Sequence, residues 1–216
     1  MSKAINITLY FLGFLIIGLG VILVIKSNFG AGPWDTTTYN LSHLLGITIG
    51  TASALINGTI LAVVIIYNKK LKYFFILVPI FSVAISIDFW DLIVFDNFIV
   101  INIFYRTLLF IIGVFVLTFG LALVYITRYP AMIFEEFTFV LMKLLRINSF
   151  LVTRIIIESL AITLAIIFGF MASIGFGQVN YGSVLLAITI GPIIAFQIKW
   201  LSKIRSHFES DPNTLN

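Results

Sequence analysis

Long uncharged, apolar stretches separated by short polar segments dominate the hydrophobic pattern of this chain. An α-helix needs about 20 apolar residues to cross the ~30 Å hydrocarbon core of a bilayer. The pattern therefore predicts an all-α, polytopic membrane helix bundle with six transmembrane helices. Five predicted spans cover residues 4–25, 44–68, 73–95, 107–127 and 148–170, and the sixth follows a glycine-rich turn at 169–182 inside the uncharged interval 159–197.

The polar segment after the first span predicts a short connector helix. Gly30 and Gly32 permit backbone conformations that a helix does not hold, and Pro33 suits the first position of a new helix. Asp35 then lies in the first turn, where the positive end of the helix dipole favours an acid, and Gly46 ends the helix. At about 12 residues this helix is too short to cross a bilayer. We expect an interfacial helix or a re-entrant half-helix.

The sequence aligns with itself at an offset of 100 residues, from Gly13 to about Leu55. Identical or similar pairs include Gly13 with Gly113, Gly20 with Gly120, Ala31 with Ala131, Trp34 with Phe134, and Asp35 with Glu135. The second copy therefore predicts its own connector helix, from Phe134 to Leu145, preceded by Arg128, Tyr129 and Pro130. Internal repeats of this kind determine architecture.

The two halves, about 7–95 and 103–201, form a single predicted transmembrane domain of residues 1–205. Each half holds three spans, and three is an odd number. The halves must then enter the membrane in opposite directions, which predicts two three-helix inverted repeats with short connector helices. Such repeats are common in secondary transporters, whose substrate site lies between the halves near the membrane midplane.

The composition agrees with a membrane protein and argues against metal, cofactor and enzyme sites. Hydrophobic residues make up 61% of the chain and charged residues 10%, too few to wet a soluble globule of this size. The chain has no cysteine and only two histidines, so we expect no metal site and no cofactor. No phosphate-binding loop or nucleophile–base motif is present, and we therefore do not expect an enzyme.

The basic residues predict orientation in the membrane. Eleven of the thirteen lysines and arginines fall on one side if the N-terminus is cytoplasmic, and only Lys26 and Arg106 fall on the other. The positive-inside rule then places both termini in the cytoplasm, with residues 206–216 as a polar cytoplasmic tail. The net charge of +4 is scattered between the spans, so it reflects topology and not nucleic-acid binding.

Charged residues inside predicted spans are candidates for function. Arg154 and Glu158 are four residues apart, so they share one helix face and can pair, and Glu158 lies about 15 Å from the start of the span. This pair could equally be structural, and Asp35 and Glu135 could be simple helix caps. The candidate substrate-binding residues are Asn28, Trp34, Asp35, Arg128, Glu135, Arg154 and Glu158, supported by the structural motif residues Gly30, Gly32, Pro33 and Pro130.

Three stretches carry a resemblance to a known family. They are Gly-Leu-Gly at 18–20, Lys-Ser-Asn-Phe-Gly-Ala-Gly-Pro-Trp-Asp at 26–35 and Gly-Ile-Thr-Ile-Gly-Thr at 46–51. The chain resembles the YczE/YyaS/YitT group of bacterial membrane proteins over nearly its whole length, and its YczE-like branch in particular. The resemblance implies the membrane fold and no assigned reaction. The second copy departs from the motif, with Pro130, Met132 and Ile133 in place of Gly30, Gly32 and Pro33.

Two functions fit these patterns. The first is a small secondary transporter or permease for a small solute or ion in the bacterial plasma membrane, with a homodimer as a further expectation because six spans are few for one path. The alternative is a non-transporting accessory or regulatory protein that binds a partner within the bilayer.

Overall fold

The computed structural model describes residues 3–130 and 132–210, with side chains as far as residue 204. All regular structure in these ranges is helical. The helices are α1 (Lys3–Ser27), α2 (Pro33–Leu45), α3 (Ile49–Asn68), α4 (Leu71–Val94), α5 (Ile103–Ile126), α6 (Phe134–Leu145), α7 (Phe150–Met171) and α8 (Tyr181–Ser210). Within α4, the first turns at Leu71–Ile76 are 3₁₀-helical and the last, at Phe89–Val94, are π-helical.

Six of these helices, all except α2 and α6, are long and apolar enough to cross a membrane. The predicted all-α bundle with six spans and two short connector helices is confirmed. The start of α5 differs from the prediction: the helix begins at Ile103, four residues before the predicted 107, and includes Arg106. Arg106 lies in the first turn and donates to the carbonyl of Ser27 at 2.8 Å, so its charge does not mark the end of the span.

Two other predicted boundaries also shift. The helix α3 begins at Ile49 and not at 44, because Gly46 ends α2 in a left-handed conformation (φ 64°) and Thr48 caps the next helix. The helix α8 continues to Ser210, into the predicted polar tail, and residues 211–216 lie outside the described part of the chain. Ala131, the predicted repeat partner of Ala31, also lies outside it.

The centre of the bundle is the contact between α1 and α5, which pack antiparallel. A Cβ atom added to Gly20 would lie 2.3 Å from the backbone nitrogen of Leu117. Only a glycine allows the two backbones to approach this closely. Phe14, Ile17 and Ile22 complete this contact and are almost fully buried. The glycines of α1 therefore let its backbone pack closely against that of α5.

The α1–α5 contacts occur in pairs that are related by the repeat offset. The pairs are Gly13–Val124 with Gly113–Val24, Gly20–Leu117 with Gly120–Ile17, and the aromatic contacts Tyr10–Tyr129 with Phe110–Phe29. Each contact therefore has a second copy in which the two helices exchange places.

The outer helices pack differently in the two halves. The helix α4 packs on α1 and α8 packs on α5, as the repeat predicts. In the first half α3 also packs on α4, where a Cβ at Gly50 would come within 2.1 Å of the Ala84 carbonyl oxygen. In the second half α7 packs on α2 and has at most marginal contact with α8.

Candidate functional site

The two short helices meet at their N-terminal ends. Pro33 begins α2 after Gly32, and Phe134 begins α6. The rings of Trp34 and Phe134, which are equivalent positions in the repeat, have centroids 5.0 Å apart and planes tilted by 30°. The indole Nε1 of Trp34 is buried without a hydrogen-bond partner in the described part of the protein. We call this contact region, with the charged groups around it, the junction.

The helix α2 buries its polar face and exposes part of its apolar face. Thr36, Thr37 and Asn40 are fully buried, whereas Leu45 is 53% exposed. In a soluble protein the opposite arrangement is normal. In lipid, a polar face must turn inward to find hydrogen-bond partners, which favours a re-entrant half-helix over an interfacial one.

The buried polar side chains of α2 bond to the backbone of α7. Thr37 Oγ1 donates to the carbonyl of Ala161 at 2.8 Å, and Asn40 Nδ2 donates to that of Ala165 at 2.7 Å. This approach requires small residues at four-residue spacing on α7, namely Ala161, Ala165 and Gly169, all of which are buried. The spacing is visible in the sequence and is the signal that our sequence reasoning missed.

The segment between α7 and α8 covers the other side of α2. Gln178 accepts a bond from the amide of Ala31 through its carbonyl at 3.3 Å, and its side-chain Nε2 donates to Ile25 at 3.3 Å. Asn40 Nδ2 also donates to the carbonyl of Phe176 at 3.2 Å. Gly30 adopts a φ of 112° where it passes this segment, so the predicted need for a glycine there is confirmed. Gly32 is the N-cap of α2, and its backbone (φ −57°, ψ 157°) is non-helical, as predicted, although other residues can also adopt it.

Charged groups gather around the junction on the α7 side. Arg154 Nε and Glu158 Oε1 are 2.8 Å apart, which confirms the predicted pair. The carboxyl group of Asp35 lies within electrostatic range of Glu158 and has no hydrogen-bond partner in the described residues. Burial raises the pKa of Asp35 to about 7, with a smaller contribution from the negative charge of Glu158.

The first turn of α6, which belongs to the second half of the chain, also contributes acids near the junction. Glu135 accepts a hydrogen bond from the hydroxyl of Tyr125 on α5, which also lies in the field of Arg154. The next residue, Glu136, accepts one from the hydroxyl of Tyr73 on α4 at 3.1 Å. The two tyrosines were not among the predicted site residues, because an isolated tyrosine in an apolar span carries no sequence signal for function.

The side chains of Asn28 and Arg128 make no hydrogen bond or ion pair with these groups in the described residues. Both are exposed residues with a positive φ (54° and 61°) just after α1 and α5, so they are equivalent helix ends. The backbone carbonyl of Asn28 accepts a bond from Arg106, and the carbonyl of Pro130 accepts one from Tyr10. The structure brings together five of the seven predicted substrate-binding residues, namely Trp34, Asp35, Glu135, Arg154 and Glu158, and gives Asn28 and Arg128 a structural position instead.

Asp88, a further acid within a span, has a structural partner. Its two carboxylate oxygens accept bonds from the hydroxyl of Thr48 and the amide of Gly50, both at 2.7 Å. It therefore caps the start of α3 from α4.

The junction brings the carboxyl groups of Asp35, Glu135 and Glu158 together with the guanidinium group of Arg154. Such a set can hold and release a proton or a small cation, or orient a polar solute, and one acid stays without a fixed partner. In the described residues no group of three or more histidine and acidic side chains is arranged to hold a metal ion.

Comparisons with known proteins agree with the membrane fold. A family model described as "Family of unknown function (DUF6198)" matches residues 4–199. The "Uncharacterized protein YyaS" of Bacillus subtilis (strain 168) is 29% identical over 185 residues, which cover 86% of this chain and 88% of YyaS. The "Uncharacterized membrane protein YczE" of the same organism is 30% identical over 87 residues, 40% of each chain.

No solved structure matches the chain. The family match spans nearly all of the described helices, and the two relatives are those of the group that the sequence motifs resemble. With its six long apolar helices, the chain is a multi-pass membrane protein that belongs to the DUF6198 family, in agreement with its resemblance to the YczE and YyaS proteins.

Proposed function

We propose that this protein is a small secondary transporter or permease that moves a small solute or ion past the junction. The observation that carries the proposal is the convergence of Asp35, Glu158 and Arg154 at the point where the two short helices meet. Buried charge is costly inside a membrane and is retained mainly where it serves transport or binding. Broken helices that meet near the midplane are the usual substrate sites of secondary transporters.

The paired contacts between α1 and α5 support an inverted repeat. The two helices are antiparallel, and each contact recurs with the helices exchanged, as in the pair Gly13–Val124 and Gly113–Val24. Two units related in this way would cross the membrane in opposite senses. Alternating access in transporters commonly uses such a relation, because one unit can rock against the other around a fixed site.

The distribution of charge supports the orientation and the location. Lysines and arginines favour the side of the N- and C-termini, which would place both termini in the cytoplasm of a bacterial cell with the protein in its plasma membrane. Glu158 is eight residues into α7, or about 12 Å from the start of that helix at 1.5 Å per residue. This depth lies well inside the hydrocarbon and suits a substrate site.

The test begins with a thermal-shift screen of the purified protein against ions and metabolites, and the compound that stabilises it becomes the uptake probe. We expect proteoliposomes to accumulate this compound, and Asp35→Asn and Glu158→Gln to reduce uptake at least tenfold. Asp96→Asn, which alters an exposed acid outside the spans, is the matched control and should transport normally. Uptake by Asp35→Asn and Glu158→Gln at the wild-type rate would refute the role of the junction.

One observation favours the alternative of an accessory protein with a partner in the bilayer. The helix α8 packs on α5, but little of its spanning portion is fully buried and α7 has little contact with it, so an open apolar side remains. A second copy of the chain would fill the same side, and light scattering corrected for detergent measures whether the purified protein is a dimer. A stable co-purifying protein, together with no stabilisation by any solute, would favour the accessory role over transport.

A further inference from the structure

The two short helices are attached to the bundle by different kinds of contact. The helix α2 donates hydrogen bonds from buried side chains to the backbone of α7, through Thr37 to Ala161 and through Asn40 to Ala165. Such bonds have a fixed direction and position, and breaking them inside a membrane leaves polar groups without partners. The segment around Gln178 holds α2 from the other side.

The equivalent positions of α6 carry apolar side chains. Phe137 and Val140 stand where α2 has Thr37 and Asn40, and they belong to one buried apolar cluster with residues of α3 such as Leu61 and Val64. The buried hydroxyl of Thr138 donates only to its own helix, at Phe134. Apolar contacts have no preferred direction, so a shift of α6 along α3 breaks no side-chain hydrogen bond to α3.

The surface of α3 also holds α6 less closely than α7 holds α2. Leu61 and Ile65 occupy the positions that are Ala161 and Ala165 in α7, and larger side chains keep the helix backbones apart. The contact between α2 and α7 is accordingly much more extensive than the contact between α6 and α3.

Only two polar contacts between side chains tie α6 to the other described helices. They join Glu135 to Tyr125 and Glu136 to Tyr73, both at the first turn of α6. Each is a bond between two side-chain tips, so it can break and re-form without any change in the backbone of α4 or α5.

From this difference we infer that α6 is the moving half-helix of the protein and α2 the fixed one, with the Tyr125–Glu135 and Tyr73–Glu136 bonds as the latch. Release of the latch lets α6 withdraw from Trp34, which opens the junction on the side from which α6 enters. The inference deepens the proposed function by naming the element that would open the path.

Hydrogen–deuterium exchange of the purified full chain in lipid nanodiscs tests this directly. We expect the backbone amides of 134–145 to exchange at least about tenfold faster than those of 33–45, because opening of a loosely held segment is more frequent. The double variant Tyr73→Phe with Tyr125→Phe removes the latch and should accelerate exchange in 134–145 several-fold further, while 33–45 stays unchanged. Tyr105→Phe, which alters an exposed tyrosine of α5, is the matched control and should change neither.

Equal exchange in the two helices of the wild type would overturn the inference. Equal acceleration of both helices in the double variant would also overturn it, because it would mean that the tyrosines stabilise the whole bundle. Exchange is measured without any solute, so a failure of the transport assay leaves this test standing, and a failure here leaves the transport assay standing.

Discussion

The helices α3 and α7 are equivalent in the repeat, yet each presents its small residues to a different neighbour. In α3 the small residue is Gly50, which lets α4 approach so closely that Asp88 caps the start of α3. In α7 the equivalent position is Phe150, and small residues occur further along, at Ala161 and Ala165, where α2 packs. The helix α3 is therefore paired with a full span, and α7 with a half-helix.

This difference teaches that a repeat in sequence can preserve the order of helices while its small residues redistribute their contacts. A helix that approaches one neighbour closely through glycine or alanine leaves another neighbour more loosely packed. In the first half the loosely packed partner of α3 is α6, and in the second half the loosely packed partner of α7 is α8. The contacts that differ between the two halves can be tested by substituting individual residues.

The largest effect is expected at the contact between α3 and α4. In Gly50→Ala the new Cβ would lie 2.1 Å from the carbonyl oxygen of Ala84, so the two helices must separate. We expect the free energy of unfolding, measured by titration with a denaturing detergent, to fall by about 2–3 kcal/mol. Gly58→Ala in the same helix meets no atom within 4 Å and should be neutral or stabilising by roughly 0.5–1 kcal/mol. Equal effects of the two substitutions would show that α3 and α4 do not pack this closely.

A smaller effect is expected where α2 is attached to α7. Asn40→Val copies the residue of α6, Val140, and removes the donors to Ala165 and Phe176. Because their carbonyls lose a partner in a buried site, we expect the free energy of unfolding to fall by about 1–3 kcal/mol. The control is Asn57→Val, because Asn57 bonds only within its own helix, to Ser53. A loss in Asn40→Val no greater than in this control would mean that α2 is held no more firmly than α6.

A third expected effect is a dependence of stability on pH at Asp35. Its pKa is about 7 in the folded protein, against 3.8 for an ordinary aspartate, so between these values the folded protein binds a proton that the unfolded chain lacks. Wild-type stability should then decrease relative to Asp35→Asn as the pH rises through this window, and the difference should level off above it. The melting temperatures of the two proteins between pH 4 and 8 measure this difference, with Asp96→Asn as the control. Parallel curves for the wild type and Asp35→Asn would contradict the burial of this acid.

Much of the helical architecture could be predicted because lipid imposes simple rules on sequence. A span must be about 20 residues long and apolar, so the six long helices follow from hydropathy alone. The ends of α2 also follow from local chemistry, since Pro33 starts the helix and Gly46 ends it. The pairing of Arg154 with Glu158 follows from their spacing on one helix. Each of these features depends on residues that are neighbours in sequence.

The missed features depend on residues far apart in the chain. The buried polar face of α2 was not predicted because Thr37 and Asn40 find their partners more than 120 positions away. Tyr73 bonds to Glu136, 63 positions away. Tyr125 bonds to Glu135 only 10 positions away, but the bond crosses from α5 to the start of α6. Asn28 and Arg128, also predicted for the site, are exposed residues of positive φ at the ends of α1 and α5.

The sequence by itself determined the membrane as the solvent, the six spans, the short connector helices and the acids in their first turns. These follow from hydrophobic length and helix-end preferences, which act within a few residues. Only the tertiary structure decided that Trp34 meets Phe134, that α2 turns its polar face inward and that the two halves pack differently. The reason is that backbone carbonyls and small residues on a facing helix select the partner of each polar side chain, and that selection is made across the bundle and not along the chain.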